Sequence, residues 1–230
     1  MRLLHPISEP KEVSEYKSNC EKLKLEENYN DMPRKELRKA LVINQGGLCA
    51  YCMSRIHNDE GRISDSGYVN IEHIIPENTP IIRKGYNSNT DVKNMLGVCN
   101  GNRPDRDDKN KHCDASRGGR TICVNPYNEA QMKTIRYLSD GTICSTDERV
   151  NQELNEVLQL NSNCNSLKRN RQTSYRKLTE MVRSMCDDKG IKQAQLNRLR
   201  NLFCQKDERG VYREFVGVYE YWLDRWEKKV

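Results

Sequence analysis

The sequence predicts an α+β fold in which a small irregular centre lies between helical flanks. Three observations lead there. Residues 9–45 and 149–230 carry charged, helix-period patterns. Residues 48–125 are irregular and rich in Asn, Asp, Gly and Pro. Residues 126–147 hold short alternating pieces of strand character. The composition shifts set three stretches: an N-terminal helical segment 1–45, a centre 46–125, and a hairpin with a C-terminal helical region 126–230.

The N-terminal segment contains EPKEVSEYKSNCEKLKLEENYN, which is charged and free of Gly. PRKELRKALVINQGGLC follows, with Pro33 suited to a helix start and Leu37, Leu41 and Val42 forming a buried stripe. Gly46-Gly47 stops that helix. In the centre, VNIEHIIPEN (69–78) is the most strand-like run, yet it holds Glu72 beside His73, one of only four histidines. Successive strand residues point to opposite faces, so this pair shares one site only where the strand ends or distorts; Pro76 supplies such an ending. Asp140-Gly141 in TIRYLSDGTICS reads as a hairpin turn. Helical patterns then run through ERVNQELNEVLQLN, SLKRNRQTSYRKLTEMVRSMC, IKQAQLNRLRNLFCQ and VYREFVGVYEYWLDRWEKK.

Composition sets limits on this architecture. With 230 residues, 35% hydrophobic and 31% charged, the chain suits one large or two small domains with a modest core. No apolar run approaches the ~18 residues of a membrane span, and MRLLHPISEP lacks the apolar region of a signal peptide. The expectation is a cytoplasmic protein without a membrane partner. A net charge of +6 is compatible with a nucleic-acid partner without establishing one. Residues 165–200 carry ten basic residues against three acidic ones (Glu180, Asp187, Asp188). That stretch is either a phosphate-contacting surface or a solvated helix face.

Ten cysteines in a reducing compartment read first as metal ligands or buried thiols rather than disulfides. Cys49-x-x-Cys52 is the one close pair, and two intervening residues let both sulfurs face one point. Cys99 and Cys113 bracket a loop too polar to pack and are the best-placed second pair; His112 and His57 are rival fourth ligands. A structural Zn2+ there would supply stability that the apolar content does not. Cys20, Cys123, Cys144, Cys164, Cys186 and Cys204 are expected to be mostly buried and unligated.

In order and spacing, QGGLCAYC (45–52), NIEHIIPEN (70–78), DVKNMLGVCNG (91–101) and KHCDASRGG (111–119) resemble the HNH endonucleases, the ββα-metal fold. Within that family they look most like the PtuB group of Septu and retron-associated anti-phage systems. The resemblance covers roughly residues 35–180. It implies a small zinc-stabilised ββα-metal (HNH) centre flanked by N- and C-terminal helices. It assigns His73 as general base, Glu72 and Asp114 as ligands of a catalytic divalent cation such as Mg2+, Asn94 as the brace between the strands, and Cys49, Cys52, Cys99 and Cys113 as zinc ligands. Two departures stand out: a long spacer between Cys99 and Cys113, and Arg117 where a Lys often follows. They leave Asn100 as the alternative to Asp114.

These residue types suit phosphodiester hydrolysis. An imidazole with an ordinary pKa of ~6.5 can take a proton from water near neutrality. A hard cation held by one or two carboxylates neutralises charge on the phosphate and the leaving oxygen. The family implies a nucleic-acid substrate, DNA ahead of RNA or tRNA, and control by a partner ATPase of the ABC type. A retron reverse transcriptase with its DNA product is a further partner in that setting. No Walker-type loop is present, so the ATPase must be another chain, and the aromatic C-terminal run is a candidate docking helix. The alternative is a non-catalytic zinc-stabilised nucleic-acid or protein binding module, which would not need Glu72, His73 or Asp114.

Overall fold

The computed structural model describes residues 1–57, 68–186 and 190–228. Two helices open the chain, α1 (Lys11–Leu23) and α2 (Arg34–Asn44). The continuous charged pattern does not give one long helical stretch. Lys24 adopts a left-handed conformation (φ 55°), and the amide of Leu25 bonds back to the Cys20 carbonyl, so the helix is capped without a glycine. The stripe on α2 forms as its spacing requires, with Leu37 and Leu41 fully buried.

The centre follows. Its strands are β1 (Asn70–His73), β2 (Ile82–Arg83), β3 (Tyr86–Asn87) and β4 (Met95–Val98), and it closes with the short helix α3 (Cys113–Arg117). β1 and β4 pair antiparallel, with Glu72 opposite Leu96 and His73 opposite Met95. The small hairpin β2–β3 is inserted between them. All four residues of β4 are buried. Its free edge is met by a side chain: Gln45 accepts from the Gly97 amide and donates to the Gly97 carbonyl, both at 2.7 Å. One amide thus stands in for a missing neighbouring strand.

After α4 (Glu129–Met132) come β5 (Ile135–Tyr137) and β6 (Ile143–Ser145), a hairpin turning at Asp140-Gly141 as its sequence implies. Gly141 (φ 86°) lies so close to the segment at Lys168 that a Cβ would meet the Lys168 carbonyl at 2.1 Å, which excludes any other residue. α5 (Glu148–Gln152) widens into a π-helical turn over Glu153–Val157. Three longer helices finish the chain: α6 (Leu167–Met185), α7 (Gln193–Cys204) and α8 (Val216–Glu227).

The result is a mixed α+β molecule whose main core draws on all three stretches, from Met1 and Leu4 through Leu48–Met53 and Val98 to Leu223. A second cluster of Ile7, Val13, Met32, Leu37, Leu41, Val92 and Met95 seats α1 and α2 against β4. At roughly 1.5–3 kcal/mol for each fully buried large aliphatic side chain, this seam fixes α2 beside β1. The C-terminal aromatics pack inward: Phe203 stacks on Tyr219 at 4.6 Å, and Tyr175 meets Trp222 at 4.7 Å. Among the described helices, none is long and apolar enough to cross a membrane.

Candidate active site and metal centre

Cys49 and Cys52 sit on a tight knuckle after α2. The Met53 amide bonds to the Cys49 carbonyl, the Cys49 amide to the Ser54 carbonyl, and the Ala50 amide docks the knuckle on the Gly97 carbonyl of β4. Cys99 follows β4 directly, and Cys113 opens α3, anchored by its amide on the Leu158 carbonyl. The polar loop between them is pinched shut at Gly101 (φ 62°), whose carbonyl accepts from the His112 amide. A Cβ on Gly101 would meet the His112 oxygen at 2.1 Å.

The four sulfurs converge within 4.8 Å of one another, all buried. Cys49 to Cys113 is 3.9 Å and Cys52 to Cys99 is 3.7 Å. A tetrahedron with metal–sulfur bonds of ~2.3 Å has sulfur–sulfur edges of about 3.8 Å, whereas a disulfide needs about 2.0 Å. The cluster therefore has the dimensions of a metal site and can hold an ion such as zinc. Burial would raise the Cys52 thiol, but hydrogen bonds from Cys113, Cys49 and Cys99 hold it well below its usual value. Cys113 is pushed well above, by burial and by the neighbouring sulfurs. A divalent cation removes that conflict by letting the thiols ionise together. His112 lies against the cluster, its Nδ1 at 3.3 Å from Cys113 Sγ, but is not one of the four; His57 lies beside Tyr68.

An open cleft of about 570 Å³ adjoins this centre, lined by Glu72, His73, Glu77, Arg103, Asp114 and Arg117 and walled on its far side by Tyr29, Arg34 and Arg38. Glu72 and His73 are the last two residues of β1, where the strand ends. His73 Nε2 lies 3.1 Å from the Asn89 carbonyl. A carbonyl can only accept, so Nε2 carries a hydrogen. Nδ1 faces Glu77 Oε1 at 3.3 Å, and the Tyr29 ring packs edge-on at 4.6 Å. Burial lowers the His73 pKa below its ordinary value, with Glu77 opposing.

Asn94 is buried beneath the cleft rather than lining it. It accepts from the Ile75 amide (2.8 Å) and donates to the carbonyls of Ser88 (2.8 Å) and Ile75 (3.1 Å). Asn100 is also buried, with Oδ1 accepting from the Asn102 amide at 3.1 Å, and is not part of the cleft lining. Asp114 is, facing Glu72 and paired with Arg103.

Glu72 is 6% exposed, and its Oε1 accepts from Tyr51 (3.2 Å) and from the buried Arg117 guanidinium. Burial first, then the Asp114 charge, push its pKa up to about 8, against the pull of Arg117. Two carboxylates facing each other need one proton or one cation between them, so Glu72 and Asp114 are a donor set suited to a hard cation.

Sequence reasoning overlooked Tyr51, Glu77, Arg103 and the Arg34–Arg38 wall. Two of these had a signal: Glu77 lies four residues after His73, and Arg34 and Arg38 lie one turn apart on α2, alongside the Leu37–Leu41 stripe. The basic stretch 165–200 is partly spent on structure. Arg171 is buried and donates to Gly141, Leu160 and Asn161, Lys168 pairs with Asp140, and Arg200 pairs with Asp224 and Glu227. Asp187, Asp188 and Lys189 lie outside the described residues. Of the six remaining cysteines, Cys20 and Cys204 are buried as expected, but Cys164 and Cys186 are exposed because both fall just outside helices. No protein-family profile matches this chain, and no curated protein matches it.

Proposed function

We propose that the chain is a metal-dependent endonuclease of the HNH ββα-metal type, with a structural zinc on Cys49, Cys52, Cys99 and Cys113. The observation that carries this is the placement of His73, held by the Asn89 carbonyl at Nε2 and turned to Glu77 at Nδ1, in the cleft that Glu72 and Asp114 also line. The antiparallel pair β1–β4 followed by α3 has the order that the resemblance implies. His73 would take a proton from water at Nδ1, and Glu77, half exposed and able to swing aside, would stabilise the imidazolium. The resulting hydroxide attacks phosphorus and breaks one P–O ester bond. Mg2+ on Glu72 and Asp114 would supply charge neutralisation at the phosphate and the departing oxygen. Asn94 keeps the His73 loop in place through its bonds to Ile75 and Ser88.

The biological setting, an anti-phage effector of Septu or retron type held in check by an ABC-type ATPase, rests on the sequence resemblance alone. One observation favours the non-catalytic module instead: Arg117 already places a positive charge on Glu72. Plasmid DNA and total RNA incubated with the chain, with its genomic neighbours present or absent and with Mg2+ or EDTA, decide between them. Cleavage is expected with Mg2+ only, and His73→Ala is expected to lower its rate by about 10²–10⁴-fold. Equal cleavage by wild type and His73→Ala would remove His73 as the base, and cleavage of neither substrate under any of these conditions would leave the binding module.

A further inference from the structure

Most charges of the cleft are already matched: Arg103 pairs with Asp114 and Arg117 with Glu72. Arg34 and Arg38 are different. They lie one turn apart on α2 and line the cleft, beside the Leu37 and Leu41 side chains that bury the helix and fix it in place. Neither has an acidic partner within ion-pair distance among the described residues. Each guanidinium instead lies over a ring, Arg34 at 5.7 Å from the centre of Tyr29 and Arg38 at 5.4 Å from that of Tyr68. Tyr29 is the ring that packs against His73, so Arg34 is one side chain away from the imidazole. Arg38 Nε is buried with no hydrogen-bond partner among the described residues. A buried donor without an acceptor costs free energy that an incoming anionic oxygen would return.

Resting on the nuclease reading, we infer that Arg34 and Arg38 form a clamp for the substrate's sugar–phosphate backbone, holding a phosphodiester beside the one that faces His73. The cleft also carries Glu72, Glu77 and Asp114, which would repel a polyanion. Two forked guanidiniums offset that repulsion and match phosphate geometry where a lysine would offer only a point charge. The planar faces stacked on tyrosine hold the forks in place before substrate arrives.

The test is fluorescence anisotropy of a short fluorescein-labelled DNA duplex and of a single-stranded RNA, over a salt series with Mg2+, in a His73→Ala background that leaves the probe uncut. Arg34→Gln/Arg38→Gln should bind the better probe roughly tenfold or more weakly, with a log Kd against log salt slope shallower by about 1–2. Lys22→Gln/Lys24→Gln removes the same charge from exposed positions at the end of α1 and should change neither. Unaltered affinity and slope in the arginine variant, with the background protein binding well, overturn the clamp and leave the nuclease standing. A background protein that binds neither probe takes both down. Where metal content or melting shows the glutamine variant misfolded, Arg34→Lys/Arg38→Lys replaces it. That pair should keep the slope but lose affinity, and full affinity would overturn the clamp.

Discussion

At Arg117 one side chain holds together several pieces of chain far apart in sequence. It donates to the Glu72 carboxylate, to the Tyr51 hydroxyl, and to the carbonyls of His73, Ile74 and Arg120, while only 1% exposed. Removing it strands the Glu72 carboxyl and three carbonyls in the interior without their donor, at a cost of about 3–5 kcal/mol. Arg117→Met should therefore lose about that much in urea unfolding. Arg117→Lys should lose less, because it restores charge without the fork. A loss below about 1 kcal/mol for Arg117→Met would show that these buried acceptors find other donors at no cost. At this scale the four cysteines were legible, because few residue types can converge on a metal ion, and Glu72 and His73 were legible as a strand-end pair sharing one cleft. The sequence hid Arg117 because a long cationic side chain is on the surface by default, and only the fold reveals that this one is inside.

The β5–β6 hairpin shows what one element owes to its turn. Asp140 accepts from Lys168 Nζ (2.9 Å) and the Thr142 amide (3.0 Å), which lower its pKa from 3.8 to about 2. A depressed carboxylate contributes stability above its unfolded pKa and loses it as pH falls through the folded one. Asp140→Asn should thus cost stability at pH 7, and the difference should shrink between pH 3.8 and about 2. Because the pair is half exposed, screening holds the cost below about 1 kcal/mol. Paired unfolding curves at neutral and acid pH check both the sign and the window; a gap that widens on acidification would refute the assignment. This hairpin was legible from Asp-Gly between alternating residues. The end of α1 was not, since a lysine made the left-handed cap. Nor was the π-helical turn after α5. It is a shift of hydrogen-bond register, and its Glu153 carboxylate is tied to the amides of Cys123 and Val124, contacts that no periodicity encodes.

Across the whole molecule, the four-sulfur cluster joins a knuckle, a strand end and a helix start, each of which also feeds the main core. Metal removal should therefore unfold more than a loop. Chelation is expected to lower the melting temperature by at least about 10 °C, and Cys49→Ser to drop bound zinc well below one per chain by mass spectrometry. An unchanged melting temperature, or full zinc in Cys49→Ser, would remove the metal from the architecture. The four cysteines were readable in advance as one cluster, whereas the sharing of one core by all three stretches depends on contacts between distant segments. Asn94 has a final consequence of another kind. Its three bonds tie Ile75 to Ser88 and close the segment carrying β2–β3 into a lasso with a fixed knot. The tip at Gly85 touches nothing within 4 Å where a side chain would go. Beyond Glu77, the length and wording of that lasso are free to drift over generations, or under an engineer's hand, while the imidazole at its knot stays where it is.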